Sequence, residues 1–396
     1  MFDIIIIGGG ICGLYAGLEI KKISPKTSFL VLEKSSKEHL ECRTDNELFC
    51  GEQIVTGAGI GRYKKDKLLY QLLKDMNIST HVSKSKPHYL FEPINISYVF
   101  GYLQKEYKEY KKYKGKHISF KEFVKPIVGN DLYKKLLDTI GYTDYEREDV
   151  EETFFEYELE DNFGLDIFHV EWKKLLIRMR KQIYSHVHYS NHVIEIIKKN
   201  DSFEIFTEKK KKYECKKIVM ATTITSLRNL LHHKIYKEIE GQPFLRIYGK
   251  FNEKSILILK EKIIGMTYVN TYLQKIIPIN PNKGIYMISY SDNEHAIFLK
   301  KYLKDKKYIG HLVERSLNLK PNTLTLLSMK SYYWDVGTHY YKPLKDIYKD
   351  RKEFIHKARH PEKNIVVVGE VVADNQGWTE EGLKTIREIK KLLNNI

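Results

Sequence analysis

After Asp3 the chain runs through four isoleucines to Ile7 with no alternation of polar and apolar positions, then breaks at Gly8-Gly9-Gly10. An unalternated β-branched run of this length predicts a short parallel strand buried on both faces. Leu14 to Lys22 follows with helical character, and Ser28 to Leu32 reads as a second apolar strand closed by Glu33. Further on, Lys67 to Met76 is amphipathic, and Asn95 to Lys112, Ser119 to Val124 and Asp131 to Thr139 read as helices. Alternation from Val187 to Ile197 and again from Phe203 to Phe206, with a lysine-rich tip at 209–212, predicts a β-meander that ends in the buried strand Lys217 to Met220. A last unalternated run, Ile365 to Val368, stops at Gly369-Glu370.

The first break carries chemistry. Gly8, Gly10 and Gly13 have the GxGxxG spacing, directly after a predicted strand and at the start of a predicted helix. The glycines suit a tight turn, close approach of backbone to a pyrophosphate, and close packing of helix on strand. The helix start, with Ile11 and Cys12, would aim free amides at phosphate. Glu33 stands twenty residues after Gly13, at the end of the second strand, where a carboxylate can accept from both ribose hydroxyls. Together these features predict a dinucleotide site.

Three later segments extend the pattern. Arg43 lies in Glu41-Cys42-Arg43-Thr44; Gly57-Ala58-Gly59-Ile60-Gly61-Arg62 precedes the amphipathic helix; and Gly377-Trp378-Thr379-Glu380-Glu381-Gly382 follows Gly369-Glu370. With the glycine turn and Glu33 they resemble the flavin-containing amine oxidase superfamily, the monoamine and polyamine oxidases among them. The meander from Val187 and its closing stretch Lys217 to Thr223 resemble the same family, so the likeness touches the beginning, middle and end of the chain. It departs from the family pattern at Arg43, which lacks the neighbouring glycines, and at Glu381 and Gly382, where the family has glycine and alanine.

The resemblance implies an α/β fold: a Rossmann-like FAD-binding domain of glutathione-reductase type, discontinuous over 1–79, 166–235 and 356–396, with an inserted α+β substrate domain at 80–165 and 236–355. It implies FAD as cofactor, held non-covalently because no cysteine follows Cys215 where the family's linking cysteine would lie. The implied cofactor contacts are Gly8, Gly10, Ile11, Cys12, Gly13, Glu33, Lys34, Arg43, Gly59, Ile60, Gly61, Arg62, Val193, Thr222, Gly369, Glu370, Gly377, Trp378 and Thr379. On the substrate side, Arg246 stands on the strand where amine oxidases carry a lysine near the flavin. Arginine keeps its charge and offers a fixed fork of donors, so Arg246 suits either a substrate carboxylate or the flavin edge; a weak pairing with a surface acid is the plainer alternative. Trp334, Tyr340 and Trp378 are candidate aromatic walls for the substrate. The tyrosines of 80–165 are expected to pack rather than to bind.

The function so implied is oxidation of an amine or amino acid by hydride transfer to flavin, with oxygen as acceptor. A desaturase, a protoporphyrinogen-type oxidase, a redox-neutral sugar mutase or a low-turnover flavin-binding scaffold stays open, since a fold does not fix a function.

Composition changes this picture little. At 396 residues with 42% hydrophobic content the chain can bury two or three cores. Its net charge of +16 leaves an acidic partner such as nucleic acid open, but the lysines are scattered among Ile, Tyr and Asn, as in an AT-rich coding sequence, and no helix-turn-helix, zinc-finger or RNP signature accompanies them. A small-molecule substrate is the partner expected. The spacing of Cys12, Cys42, Cys50 and Cys215 fits neither a zinc site nor a redox pair. No signal peptide or membrane span is legible, so a soluble, cytoplasmic protein without a metal is expected.

Overall fold

The computed structural model describes residues 1–38, 42–161 and 166–394; Glu41 and residues 162–165 lie outside them. Strand Phe2–Ile7 is central to a seven-stranded sheet, parallel to Phe29–Leu32 on one side and to Lys212–Met220 on the other. Ile4 and Ile6 enter one apolar layer, with helix Ile11–Ile23, helix Trp172–Gln182 and the C-terminal helices, while Ile5 and Ile7 enter the opposite layer. Both faces of the strand are buried, which is why its sequence does not alternate.

Ile365–Val367 pairs in parallel with the carboxyl half of Lys212–Met220, and Phe203–Thr207 pairs antiparallel with its amino half. Val193–Lys198 completes the meander against Phe203–Thr207. The run Val187 to Ile197 is therefore two strands rather than one. Val187–His188 pairs with Val31 and Leu32 at the far edge of the sheet, and the chain turns at Ser190, whose φ is +53°, before the meander begins. An alternating stretch conceals such a turn because serine carries no special signature for a positive φ.

A second sheet of six strands has the order Leu326–Tyr341, Ile239–Phe251, Ile285–Asp292, Lys275–Asn280, Met266–Tyr268, Pro87–Tyr89. Beside it stand helices Ile96–Lys114, Phe120–Ile140 and Val150–Asp161 around their own cluster of Phe100, Phe120, Phe123 and Tyr107. The two helices expected at Ser119 to Val124 and Asp131 to Thr139 form one span, broken by the non-helical Gly129 (φ 77°, ψ 169°) and begun by a capping box between Ser119 and Glu122. Tyr107 and Tyr133 pack inside and Tyr98, Tyr102 and Tyr113 are exposed, whereas Tyr89, Tyr142 and Tyr145 line a cavity beside the second sheet. Asp149, fully buried, ties this cover to the rest of the chain: it accepts from His117 Nδ1 (2.7 Å), Arg351 Nη2 (2.9 Å) and the Leu344 amide (2.9 Å).

All four cysteines are free, and among the described residues no helix is long and apolar enough to cross a membrane.

Candidate functional site

A continuous cavity of about 1670 Å³ is lined from both sheets. At one end lies the glycine turn. Gly8 has a φ of +108°, and a Cβ there would stand 2.4 Å from the Ala221 carbonyl oxygen; a Cβ on Gly13 would stand 1.9 Å from the Gly8 carbonyl oxygen. Only glycine permits strand, turn and helix to meet this closely. A Cβ on Gly10, by contrast, would meet nothing within 4 Å and would project into open space. No side chain caps the following helix, so its first amides are free for an anion. Glu33 closes the turn, accepting from the Gly9 amide and the Ser35 amide, both at 2.7 Å. The Thr222 hydroxyl is buried at the cavity wall without a protein partner.

The middle of the cavity is organised by Glu370. Its Oε1 accepts from the amides of His339 (2.8 Å) and Gly377 (2.9 Å), and its Oε2 from the His339 ring Nδ1 and from Arg43 Nη1 (3.4 Å). His339 Nε2 meanwhile accepts from the Ile224 amide at 3.1 Å, at the start of helix Ile224–Leu231. A nitrogen that accepts carries no proton, so the ring is the neutral tautomer with its hydrogen on Nδ1, aimed at the carboxylate. Burial pushes the Glu370 carboxyl up, but the hydrogen bond from His339, the Arg43 charge and the Gly377 amide act against it and hold the group below the ordinary carboxylate range. Arg43 also donates to the Gly337 carbonyl at 2.8 Å, joining the second sheet to this centre.

Next to it runs the loop from Gly57 to Arg62. Gly57 passes so close to Arg43 that a Cβ would stand 2.2 Å from the Arg43 carbonyl oxygen. Trp172 Nε1 donates to the carbonyls of Ala58 (3.0 Å) and Gly59 (3.2 Å), and its ring meets Trp378 edge-on at 6.2 Å. Replacing Trp172 by Phe keeps the packing and removes the donor. It should cost about 1 kcal/mol in urea unfolding and speed hydrogen exchange in residues 57–61; unchanged exchange there would show that the indole does not hold the loop.

At the far end three strands contribute walls. Along Ile239–Phe251, Phe244 and Arg246 face the cavity while Leu245 and Ile247 enter the core behind, the ordinary period of two. On the neighbouring strand Met287 and Tyr290 both line the cavity although they are three apart. A register shift opposite Ile247 and Tyr248 inserts an extra residue between them and turns both inward. Trp334, on Leu326–Tyr341, lies against the cavity and donates its indole N–H to the Thr56 carbonyl at 2.8 Å. Arg246 is 5% exposed, and among the described residues no carboxylate lies within ion-pair distance of it. Its Nε donates to the Gly57 carbonyl at 2.6 Å, and the guanidinium stacks 4.0 Å over the Tyr290 ring. The alternative of a strand-end arginine paired with a surface acid is thereby corrected: Arg246 is a buried mid-strand cation.

No protein-family model and no curated protein matches this sequence. Solved structures do match. A wild-type putrescine oxidase bound to putrescine aligns at a TM-score of 0.77 and 12% identity, covering 100% of this chain and 99% of that one. A double mutant of putrescine oxidase, redesigned for cofactor binding, aligns at 0.76 and 13% identity, covering 99% of each. The chain has the putrescine oxidase fold. At this identity the likeness is one of architecture, and it supports the Rossmann-like core and inserted α+β region that the sequence resemblance implied.

On this putrescine oxidase fold most of the residues picked from sequence come together at one cavity. Gly8, Gly10, Ile11, Cys12, Glu33, Lys34, Arg43, Gly59, Ile60, Arg62, Val193, Thr222, Gly369, Glu370, Gly377, Trp378 and Thr379 line it, as do Arg246 and Trp334. Three do not. Gly13 serves the packing of helix on strand. Gly61 makes room for Phe168, whose ring would lie 2.2 Å from a Cβ at that position. Tyr340, beyond the cavity on the same strand as Trp334, is buried opposite Glu240. His339, Trp172, Phe244, Met287 and Tyr290 join the site without a signal in the sequence that marks them as part of it. Each acts through a partner remote in sequence, and only the period-two relation of Phe244 to Arg246 was readable beforehand.

Proposed function

We propose that the chain binds FAD non-covalently along this cavity and oxidises a small amine or amino acid. FAD, if bound there, would supply a two-electron acceptor for oxidation of the carbon beside nitrogen, with oxygen as the final acceptor and hydrogen peroxide as its product. The observation that carries the reading is the continuity of the cavity, from the uncapped helix start after Gly10 to the pocket of Arg246, Tyr290 and Trp334.

The residues present suit the cofactor. Gly10, Gly369 and Gly377 each leave a cradle that a Cβ would fill, with nothing within 4 Å. The buried Thr222 hydroxyl awaits a partner. The free amides after Gly10 fit a pyrophosphate, and Glu33 together with Lys34 and Val193 lies where a nucleoside would end. Ile60, Arg62, Trp378 and Thr379 would border the ring. Phe244, Tyr290 and Trp334 exclude water from the reacting carbon and fix its approach. No strong base is required of the chain.

The test is an anaerobic titration of the purified protein with amines, polyamines and amino acids, following absorbance near ~450 nm, expected of any oxidised flavin. Bleaching that reverses in air with peroxide formed is the expected result. A yellow protein that no amine or amino acid bleaches would overturn the oxidase, and a colourless one would overturn the cofactor.

A further inference from the structure

We infer that the substrate carries a carboxylate taken by Arg246, and that a diamine such as the one bound in the structural neighbour is the wrong ligand for this cavity. The inference rests on the reading above and names its substrate class. Arg246 is a buried cation whose near contacts, the Gly57 carbonyl and Met287 Sδ at 3.3 Å, are neutral and leave its charge uncompensated. Gly59 keeps the space before Nη2 clear, since a Cβ there would stand 3.2 Å from it. A buried, stacked guanidinium beside an open cavity is a carboxylate site, because the planar fork matches two carboxylate oxygens and the unpaired charge is costly until they arrive.

The other charges point the same way. Lys84 and Lys86 line the cavity. Of the cavity's four acids among the described residues, Glu33, Glu370 and Asp66 accept from backbone amides of the chain, Asp66 from the Arg62 amide at 2.6 Å, and the fourth is Asp144. Aromatic faces could otherwise hold an alkylammonium. Here the chain's own Lys275, fully buried behind the cavity wall, already takes up such faces: its Nζ lies 2.9 Å from the Tyr142 ring centroid, 4.9 Å from Tyr290 and 5.4 Å from Tyr268. A second substrate ammonium would find Asp144 as the one further acid of the cavity among the described residues, against Arg246, Lys84 and Lys86.

The experiment compares matched pairs on the purified holoprotein by calorimetry: ornithine against putrescine, phenylalanine against phenethylamine, and benzoate as a carboxylate with no oxidisable amine. We expect each acid to bind at least ~10-fold tighter than its decarboxylated partner, and benzoate to compete. Arg246→Met should weaken benzoate at least ~30-fold, the loss expected when one partner of a buried charge pair is removed, and Arg246→Lys should recover part of it. The wild-type pairs decide the matter even if Arg246→Met does not fold. Tighter binding of putrescine or phenethylamine, or no binding of any acid, overturns the inference whether or not amines bleach the protein. Acids that bind without any bleaching uphold it and overturn the oxidase instead.

Discussion

Glu370→Gln should lower the unfolding free energy by about 3 kcal/mol, the cost of leaving buried donors around a centre that was a carboxylate. Four donors converge on Glu370: two amides, the His339 ring N–H and Arg43. A carboxylate offers an acceptor site to each, whereas an amide offers one oxygen and turns an NH2 group on the remainder. The ring cannot change tautomer to help, because Nε2 is held by the Ile224 amide. The sign with pH follows. The folded carboxyl sits below its ordinary 4.5, so its contribution is complete above pH ~4.5 and is lost as pH falls through the lowered value. Urea unfolding at a series of pH values should therefore show an acid limb in the wild type that Glu370→Gln flattens. A variant within 1 kcal/mol of wild type, with its acid limb intact, would refute the four-donor centre.

Gly13→Ala should be comparably severe, about 3 kcal/mol by overpacking, and should abolish retention of the cofactor. The added methyl would stand 1.9 Å from the Gly8 carbonyl oxygen and 3.3 Å from Ala221 Cβ. The obstructing atom is backbone, so no rotamer change relieves it; helix Ile11–Ile23 must shift away from strand Phe2–Ile7, and the turn between them opens. Gly10→Ala has a Cβ that meets nothing within 4 Å and is the matched control: it should leave stability almost unchanged while impairing flavin retention. Equal stability of Gly13→Ala and wild type in thermal melts would show that the turn does not need the glycine.

The parts legible in the sequence were those whose cause is local. A buried strand, a glycine turn, a helix start and an acid twenty residues on declare themselves within the first 33 positions because their geometry depends on neighbours in the chain. The gatherings around Glu370 and Arg246 were only half legible. Glu370 and Arg246 stand out in the sequence, yet His339 as the partner of Glu370 does not, since its ring is set by Ile224, 115 positions earlier. Gly61 looked like its neighbour Gly59, and only the approach of Phe168 tells them apart. Tyr340 followed Trp334 in an aromatic strand, and the place where the cavity stops along that strand is a property of the packed sheets. The turn at Ser190 was hidden in the same way, by pairing with Val31 and Leu32 rather than by anything in its own residues.

The central place of strand Phe2–Ile7 also sets a problem in time. Its partner Cys215–Met220 emerges from the ribosome some 210 residues later, which at ~5–20 residues per second is a wait of roughly 10–40 s, and Ile365–Val367 arrives later still. During synthesis an apolar β-strand with four consecutive isoleucines has Phe29–Leu32 as its early neighbour and one open edge, the kind of segment that pairs with other chains. Yield of native protein should therefore depend on holding factors that shield this edge until the middle of the chain is made, and slow refolding from denaturant should be limited by long-range strand docking rather than by helix formation.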